Sequence, residues 1–239
     1  MGNNRKKKQL QVSKILKFGH RGAKGYVAEN TLESIKKAID LGVDAIEIDV
    51  HLSKTGELVV FHDFTLERLT ESTGEIAKKS LEELKELSVN GEFKIPTLLE
   101  VLDLIDKKCL LNIELKGEPT AFETCKSIQI YTETKGWDVE DFLVSSFHHE
   151  ELKTVFNINK KIPLAVLTDS DIDAAANFAK TIKARAIHPE YQLVTKNKVR
   201  QLHDLGFKVN TWTVNDTETI ALMKTYGVDG IISDFPDRL

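Results

Sequence analysis

The feature that most constrains this chain is a repeated alternation. Short runs rich in β-branched residues are each followed by a stretch whose apolar residues recur at helical spacing, and the pattern continues from residue 15 to residue 232. The runs at 15–18, 45–50, 58–61, 111–115, 142–146, 163–167, 185–188, 207–212 and 229–232 read as strands. Between the first two, Leu32, Ile35, Ala38, Ile39 and Leu41 put one apolar stripe on a helix over 31–41. Capping boxes are expected where Asn30 precedes Glu33, Ser80 precedes Glu83, Thr97 precedes Glu100 and Asn215 precedes Glu218. A parallel strand pair needs a crossover long enough for a helix, so the alternation implies a parallel sheet. Strands spread over the whole length, with polar residues at their C-terminal ends, favour an α/β TIM-type (β/α)8 barrel over an open sheet.

The nine runs exceed the eight strands of such a barrel by one. Only S-K-T-G separates A-I-E-I-D-V-H-L from E-L-V-V-F-H-D, too little for a parallel crossover. One of these two runs is expected to depart from barrel geometry. Residues 63–95 then read as a short insertion after this second strand region, made of polar turns and one short helix, S-L-E-E-L-K-E-L. No composition break or Pro/Gly-rich linker divides the 239 residues, so a single domain over 1–239 is expected, with a basic arm at 1–14.

Charge and cysteine usage narrow the function. A net charge of −4 leaves no electrostatic footprint for nucleic acid. No apolar stretch is long enough to span a bilayer. The N-terminus is basic but lacks the apolar core of a secretory signal, and Lys6 stands where a myristoylation start wants Ser or Thr. The Arg5–Lys8 cluster reads as a solvated arm capable of weak contact with an anionic membrane surface. Cys109 and Cys125 make neither a disulfide framework nor a zinc motif. The chain reads as cytoplasmic.

Strand parity carries the chemistry. In A-I-E-I-D-V, Glu47 and Asp49 share one face, and Ile46, Ile48 and Val50 the other. In N-I-E-L-K, Asn112, Glu114 and Lys116 face one way, and Ile113 and Leu115 the other. In a barrel the charged faces point into the mouth. Three carboxylates meeting there repel and resist desolvation unless something neutralises them. A hard divalent cation, Mg²⁺ or Ca²⁺, takes oxygen ligands of this kind; the alternative is a cluster balanced by Arg21 and Lys116 alone. His20 and His62 each follow an apolar run, and a histidine pair can take one proton and give another near neutral pH. Arg21 and Lys116 suit a phosphodiester anion, as a fork and as a point charge. Asn30 reads as a helix N-cap, and Glu29 as a metal ligand or as the carboxylate that orients His20. His51 shares the inward parity, His188 sits at a strand end, and His148, His149 and His203 read as surface or loop residues. Phe147 and Trp212 read as core aromatics or as walls for the substrate's organic group.

The motifs H-R-G, E-N-T-L, E-I-D-V, V-V-F-H-D, N-I-E-L-K, V-N-T-W-T-V-N and G-I-I-S-D-F-P, spread over residues 18 to 236, together resemble the glycerophosphodiester phosphodiesterase family, in that family's order. The resemblance implies a TIM-type barrel and hydrolysis of a small glycerophosphodiester to sn-glycerol 3-phosphate and an alcohol. It implies His20 and His62 as the general acid/base pair and Glu47, Asp49 and Glu114 as ligands of the divalent metal. It further implies Arg21 and Lys116 on the phosphate and Trp212 in the glycerol or head-group pocket. Two positions depart from the family pattern: Ala28 replaces the proline before E-N-T, and Thr55 replaces the acidic residue before the turn glycine. The compact insertion is similar to that of the smaller cytosolic members. The family's chemistry suggests that the glycerol 2-hydroxyl attacks phosphorus and expels the alcohol, leaving a cyclic phosphate for water to open; direct attack by water is the competing route. The rival readings are a lysophospholipase D, a non-catalytic barrel binding module and a metal-dependent sugar-phosphate isomerase.

Overall fold

The computed structural model describes residues 14–239, so the Arg5–Lys8 cluster and nearly all of the basic arm lie outside the described residues. The chain runs β1 (Leu16–His20), α1 (Leu32–Asp40), β2 (Ala45–Leu52), β3 (Leu58–Val60), α2 (Leu81–Glu86), α3 (Leu98–Ile105), β4 (Leu110–Leu115), α4 (Ala121–Thr134) and β5 (Phe142–Ser146). It continues with α5 (His149–Ile158), β6 (Leu164–Thr168), α6 (Ile172–Thr181), β7 (Ala186–Pro189), α7 (Lys196–Asp204), β8 (Lys208–Thr211), α8 (Thr217–Tyr226) and β9 (Gly230–Ser233). Eight of these strands form a closed parallel barrel, ordered β1-β2-β4-β5-β6-β7-β8-β9 and back to β1. This is the expected TIM (β/α)8 architecture. The ninth strand, β3, folds back on β2 as an antiparallel hairpin, pairing Val60 with Val50 and Leu58 with Leu52. The five residues between the two strands are too few for a parallel crossover.

The side-chain parity is as the strands dictate. Ile46, Ile48, Val50, Ile113 and Leu115 are buried between the barrel and its helices. The opposite faces fill the barrel itself. Towards the N-terminal ends of the strands this interior is apolar and small, with Phe18, Ala45, Leu143, Ala165 and Ala186. Towards the C-terminal ends it becomes polar.

Two capping boxes form as the spacing predicts, at Ser80/Glu83 and Thr97/Glu100. The other two shift by one residue. Thr31, not Asn30, caps α1 by accepting from the Ser34 amide, and Asp216, not Asn215, caps α8 by accepting from Thr219. Both asparagines are drawn elsewhere: Asn30 Nδ2 donates to Asp49 (2.9 Å), and Asn215 Nδ2 donates to Asp234 (2.8 Å). Leaving a buried carboxylate short of donors costs more than leaving a helix-end amide to the neighbouring cap residue.

The segment between β3 and α3 contains the short helix expected there, α2, and a 3₁₀ turn at Ile76–Lys78. It is less polar inside than its sequence suggests. Phe61, Leu66, Leu69, Ile76, Leu84, Val89 and Ile95 bury a separate small core beneath it, together with Val59 of β3. No helix among the described residues is long and apolar enough to cross a membrane.

Candidate active site

The mouth at the C-terminal ends of the strands holds a cavity of about 260 Å³. His20 ends β1 and reaches it directly. The loop that follows must turn back onto α1, and Gly22 makes this possible: its φ is +87°, and a Cβ there would stand 2.5 Å from Ser34. Arg21 is itself in the left-handed region (φ 50°), which puts its amide 3.1 Å from Glu47 Oε2 while its side chain crosses the floor of the mouth. Its Nη1 donates to Glu29 (2.7 Å), and its Nε lies 3.2 Å from Asp49 Oδ2.

Glu47 and Asp49 on β2 meet Glu114 on β4, because Asp49 is in register with Glu114 across the parallel pair. Each of the three offers an oxygen within 4.8 Å of the others, and all three are buried. Burial, then the charges of Asp49 and Glu114, push Glu47 well above the usual carboxylate range. Burial and Asp49 push Glu114 up to about 7, although Lys116 Nζ donates to it at 3.1 Å. Glu47 Oε1 is buried with no hydrogen-bond partner. Repelling carboxylates with an orphaned oxygen form a hard-donor set that fits a divalent cation.

The two histidines flank this cluster, and each has a carboxylate on Nδ1. His20 Nδ1 donates to Asp234 Oδ1 (2.6 Å), with His20 Nε2 on the other side 3.9 Å from Glu47 Oε2. His62 Nδ1 donates to Asp63 Oδ1 (2.6 Å). Burial lowers the pKa of both rings below the ordinary value, against the pull of their carboxylate partners. Arg68, from the segment after β3, donates to Asp63 and to Glu29, and hydrogen bonds from Arg68 and His62 hold Asp63 well below the usual carboxylate range. Burial opposes ionisation of Glu29, yet bonds from Arg68 and the charge of Arg21 take it down to about 2.

Lys116, Phe147 and Trp212 also line the cavity. The two rings meet edge to face at 5.6 Å, and Lys116 Nζ lies 5.8 Å from the Phe147 centroid. The mouth thus gathers His20, His62, Arg21, Lys116, Glu47, Glu114, Phe147 and Trp212, with Asp49 just beneath, ion-paired with Arg21 and hydrogen-bonded to Asn30.

Several expectations need correction. Glu29 neither joins the acidic cluster nor touches His20; it braces Arg21 against Arg68. Its place beside His20 is taken by Asp234, 214 residues away in sequence. His51 does have inward parity but stands behind the cavity wall, donating from Nε2 to the His62 carbonyl (3.1 Å) and packing edge-on to Phe64. His188 lines the cavity and is fully buried. His148, His149 and His203 lie at or near the surface as expected. Asp63, Asp234 and Arg68 escaped the sequence reading. The signals available were the H-D doublet at 62–63 and the aspartate after the last strand in I-I-S-D-F-P.

Residues 20–238 match the model of the Glycerophosphoryl diester phosphodiesterase family. The chain belongs to that family. Its members are phosphoric diester hydrolases, and the match spans barrel and mouth together. A glycerophosphodiester phosphodiesterase of Bacillus altitudinis is 38% identical over 233 residues, 92% of this chain and 95% of the relative. One from Caldanaerobacter subterraneus is 35% identical over 235 residues, 95% of this chain and 96% of the relative. Among solved structures, an Oleispira antarctica phosphodiesterase in complex with its product sn-glycerol-3-phosphate is 30% identical with a TM-score of 0.84, over 92% of this chain and 93% of that one.

Proposed function

We propose that this protein hydrolyses glycerophosphodiesters to sn-glycerol 3-phosphate and an alcohol, acting as one domain whose site is the barrel mouth. The observation that carries the reading is the convergence in one cavity of two carboxylate-paired histidines, three buried carboxylates, and the cations Arg21 and Lys116. Glu47, Asp49 and Glu114 would hold Mg²⁺ or Ca²⁺. When bound, such an ion supplies Lewis-acid polarisation of the phosphoryl oxygens and offsets their charge.

The remaining chemistry belongs to this chain's own residues. An ionised carboxylate can only accept, so Asp234 and Asp63 keep the ring protons of His20 and His62 on Nδ1. Nε2 of each ring is then the nitrogen that exchanges protons with substrate. One ring takes the proton of the attacking hydroxyl and the other gives one to the leaving oxygen. Their burial-lowered pKa favours the neutral, proton-accepting ring at neutral pH. Lys116 and Arg21 hold the diester anion, and Phe147 and Trp212 shelter its organic group. Arg68 ties the loop of Asp63 and His62 to Glu29, so the segment after β3 contributes to the order of the mouth.

The test is release of glycerol 3-phosphate from sn-glycero-3-phosphocholine, with and without a chelator. Release that stops with chelator and returns with Mg²⁺ or Ca²⁺ is expected. Absence of release with either ion sinks the reading. A 2-deoxy analogue of the same diester separates the two routes: comparable kcat on both substrates favours direct attack by water, and loss of turnover favours attack by the glycerol 2-hydroxyl.

A further inference from the structure

The carboxylates behind the two histidines are themselves held in different ways. Asp63, beside His62, is gripped by Arg68, a half-exposed cation. Asp234, beside His20, is held by a neutral amide. Asn215 lies in the loop after β8, which the Val214 amide ties to the Ile232 carbonyl of β9 (3.0 Å). Asp216 caps α8, so the Asn215 side chain can turn to the loop after β9. There its Oδ1 accepts from the Asp234 amide (2.9 Å) and from Ser233 Oγ (3.1 Å). A backbone N–H can only donate, so this contact fixes which end of the side-chain amide is oxygen. Nδ2 therefore faces the Asp234 carboxylate and donates to Oδ2 at 2.8 Å. The other oxygen, Oδ1, takes the Nδ1–H of His20 at 2.6 Å.

Asn215 thus grips Asp234 at both its backbone and its carboxylate. The terminal torsion of an aspartate is soft, so a carboxylate with one oxygen unheld can swing and take its imidazole partner with it. We propose that Asn215 is a positioning residue for the reaction, setting the plane of the Asp234 carboxylate and, through it, the orientation of the His20 ring. The proposal rests on the reading of His20 as one of the two proton-transfer groups. His20 lines the cavity, whereas Asn215 and Asp234 do not, so the effect belongs in turnover and not in substrate binding. The backbone of the loop is secured separately, by the Val214 bond and by Arg238 Nη1, which donates to the Asn215 carbonyl (2.9 Å).

The decisive variant is Asn215→Asp. It has nearly the same shape and keeps an acceptor for the Asp234 amide and Ser233, but sets an oxygen where the donor to Oδ2 stood. On sn-glycero-3-phosphocholine its kcat should fall roughly tenfold while KM stays within about twofold, the pattern for losing a partner behind a working side chain. In an Asp234→Ala background the same substitution should cost less than about twofold, because no carboxylate is left to hold. A loss carried by KM, or a loss equally large without Asp234, overturns the proposal. Asn215→Ala repeats the comparison if Asn215→Asp does not fold. A chain that tolerates neither substitution makes Asn215 a residue of stability alone, which also overturns it. A second readout needs no substrate. The low-field Nδ1–H proton of His20 in the NMR spectrum, identified by its absence in His20→Ala, should shift or broaden in Asn215→Asp while that of His62 stays unchanged. An unaltered His20 proton overturns the proposal. If the wild-type protein turns over no glycerophosphodiester, the hydrolase reading fails, and this resonance alone decides whether Asn215 orients His20.

Discussion

The two ends of the barrel interior are made by the same strands and the same side-chain parity, yet they are built for different purposes. Along β2 the inward residues run Ala45, Glu47, Asp49; along β4 they run Leu110, Asn112, Glu114; along β7 they run Ala186, His188. At the N-terminal end Phe18, Ala45, Leu143, Ala165 and Ala186 are buried in apolar clusters, with no carboxylate among them. One step of two residues up β2, β4 and β7, the interior turns to carboxylates that burial drives away from ionisation and to polar atoms left without partners. The lower end stabilises the barrel by removing apolar area from water. The upper end stores unfavourable electrostatics, offset in part by Arg21 beside Asp49 and Lys116 on Glu114. A TIM barrel can do this because its packed layers lie below the mouth, and the loops that close the mouth carry little of the core.

The largest test of that contrast is at the lower end. Phe18→Ala should cost roughly 3–5 kcal/mol of unfolding free energy, the usual scale for emptying a fully buried aromatic site. Urea melts read this directly. Because Phe18 lies below the mouth, touching it through an edge-on contact with His188 (6.5 Å) and through the cluster it shares with Ile232 and Trp212, kcat of the folded variant should fall by less than about tenfold. A large loss of turnover with unchanged stability would erase the distinction between the two ends.

At the mouth the expectation is reversed. His20→Ala and His62→Ala should each lower kcat by roughly 10²-fold, about 2.7 kcal/mol in the barrier, under saturating metal. Thermal melts should shift little, since each ring's bonds lie at the edge of the cavity. Near-normal turnover in either variant removes that histidine from the proton-transfer scheme.

The smallest effect is a slope. Glu114 is raised in the folded protein from its ordinary 4.5 to about 7, chiefly by burial and then by Asp49, and Glu47 is raised for the same reasons. Between those pH values the folded state binds more protons than the unfolded state, so these groups favour folding at the acid end and lose that contribution as pH rises towards 7. Metal-free wild type should therefore lose stability across this window more steeply than Glu114→Gln, which cannot titrate there. Saturating Ca²⁺ or Mg²⁺ should flatten the wild-type slope, because the ion favours the ionised carboxylates. Equal slopes in wild type and variant would mean that the mouth is less strained than its geometry indicates.

The mouth is legible in the sequence through strand parity. Glu47, Asp49 and Glu114 could be placed on one side of the sheet because a strand alternates its faces without exception over so short a run. The surplus strand was legible for a similar reason, since so short a turn forbids a parallel crossover. The fixed rules failed where a side chain had a choice of partners. Asn30 and Asn215 carry good N-cap chemistry, but each was taken by a carboxylate folded in from another strand or loop. Glu29 had an imidazole nearby in sequence and bonded two guanidinium groups instead. The polar look of residues 63–95 concealed a small apolar core, because its buried residues are spaced irregularly, with only Ile76 and Leu84 on a helical turn.

By itself, then, the sequence determined the order of strands and helices, their closure into a barrel and which residues could face its interior. These follow from short-range periodicity and from the reach of the connections, which any fold of this chain must obey. The tertiary structure alone decided the partners: Asp234 on His20 rather than Glu29, and Arg68 across Asp63 and Glu29. Those choices depend on distances between residues far apart in the chain, and a hydrogen bond forms or fails over a fraction of an ångström.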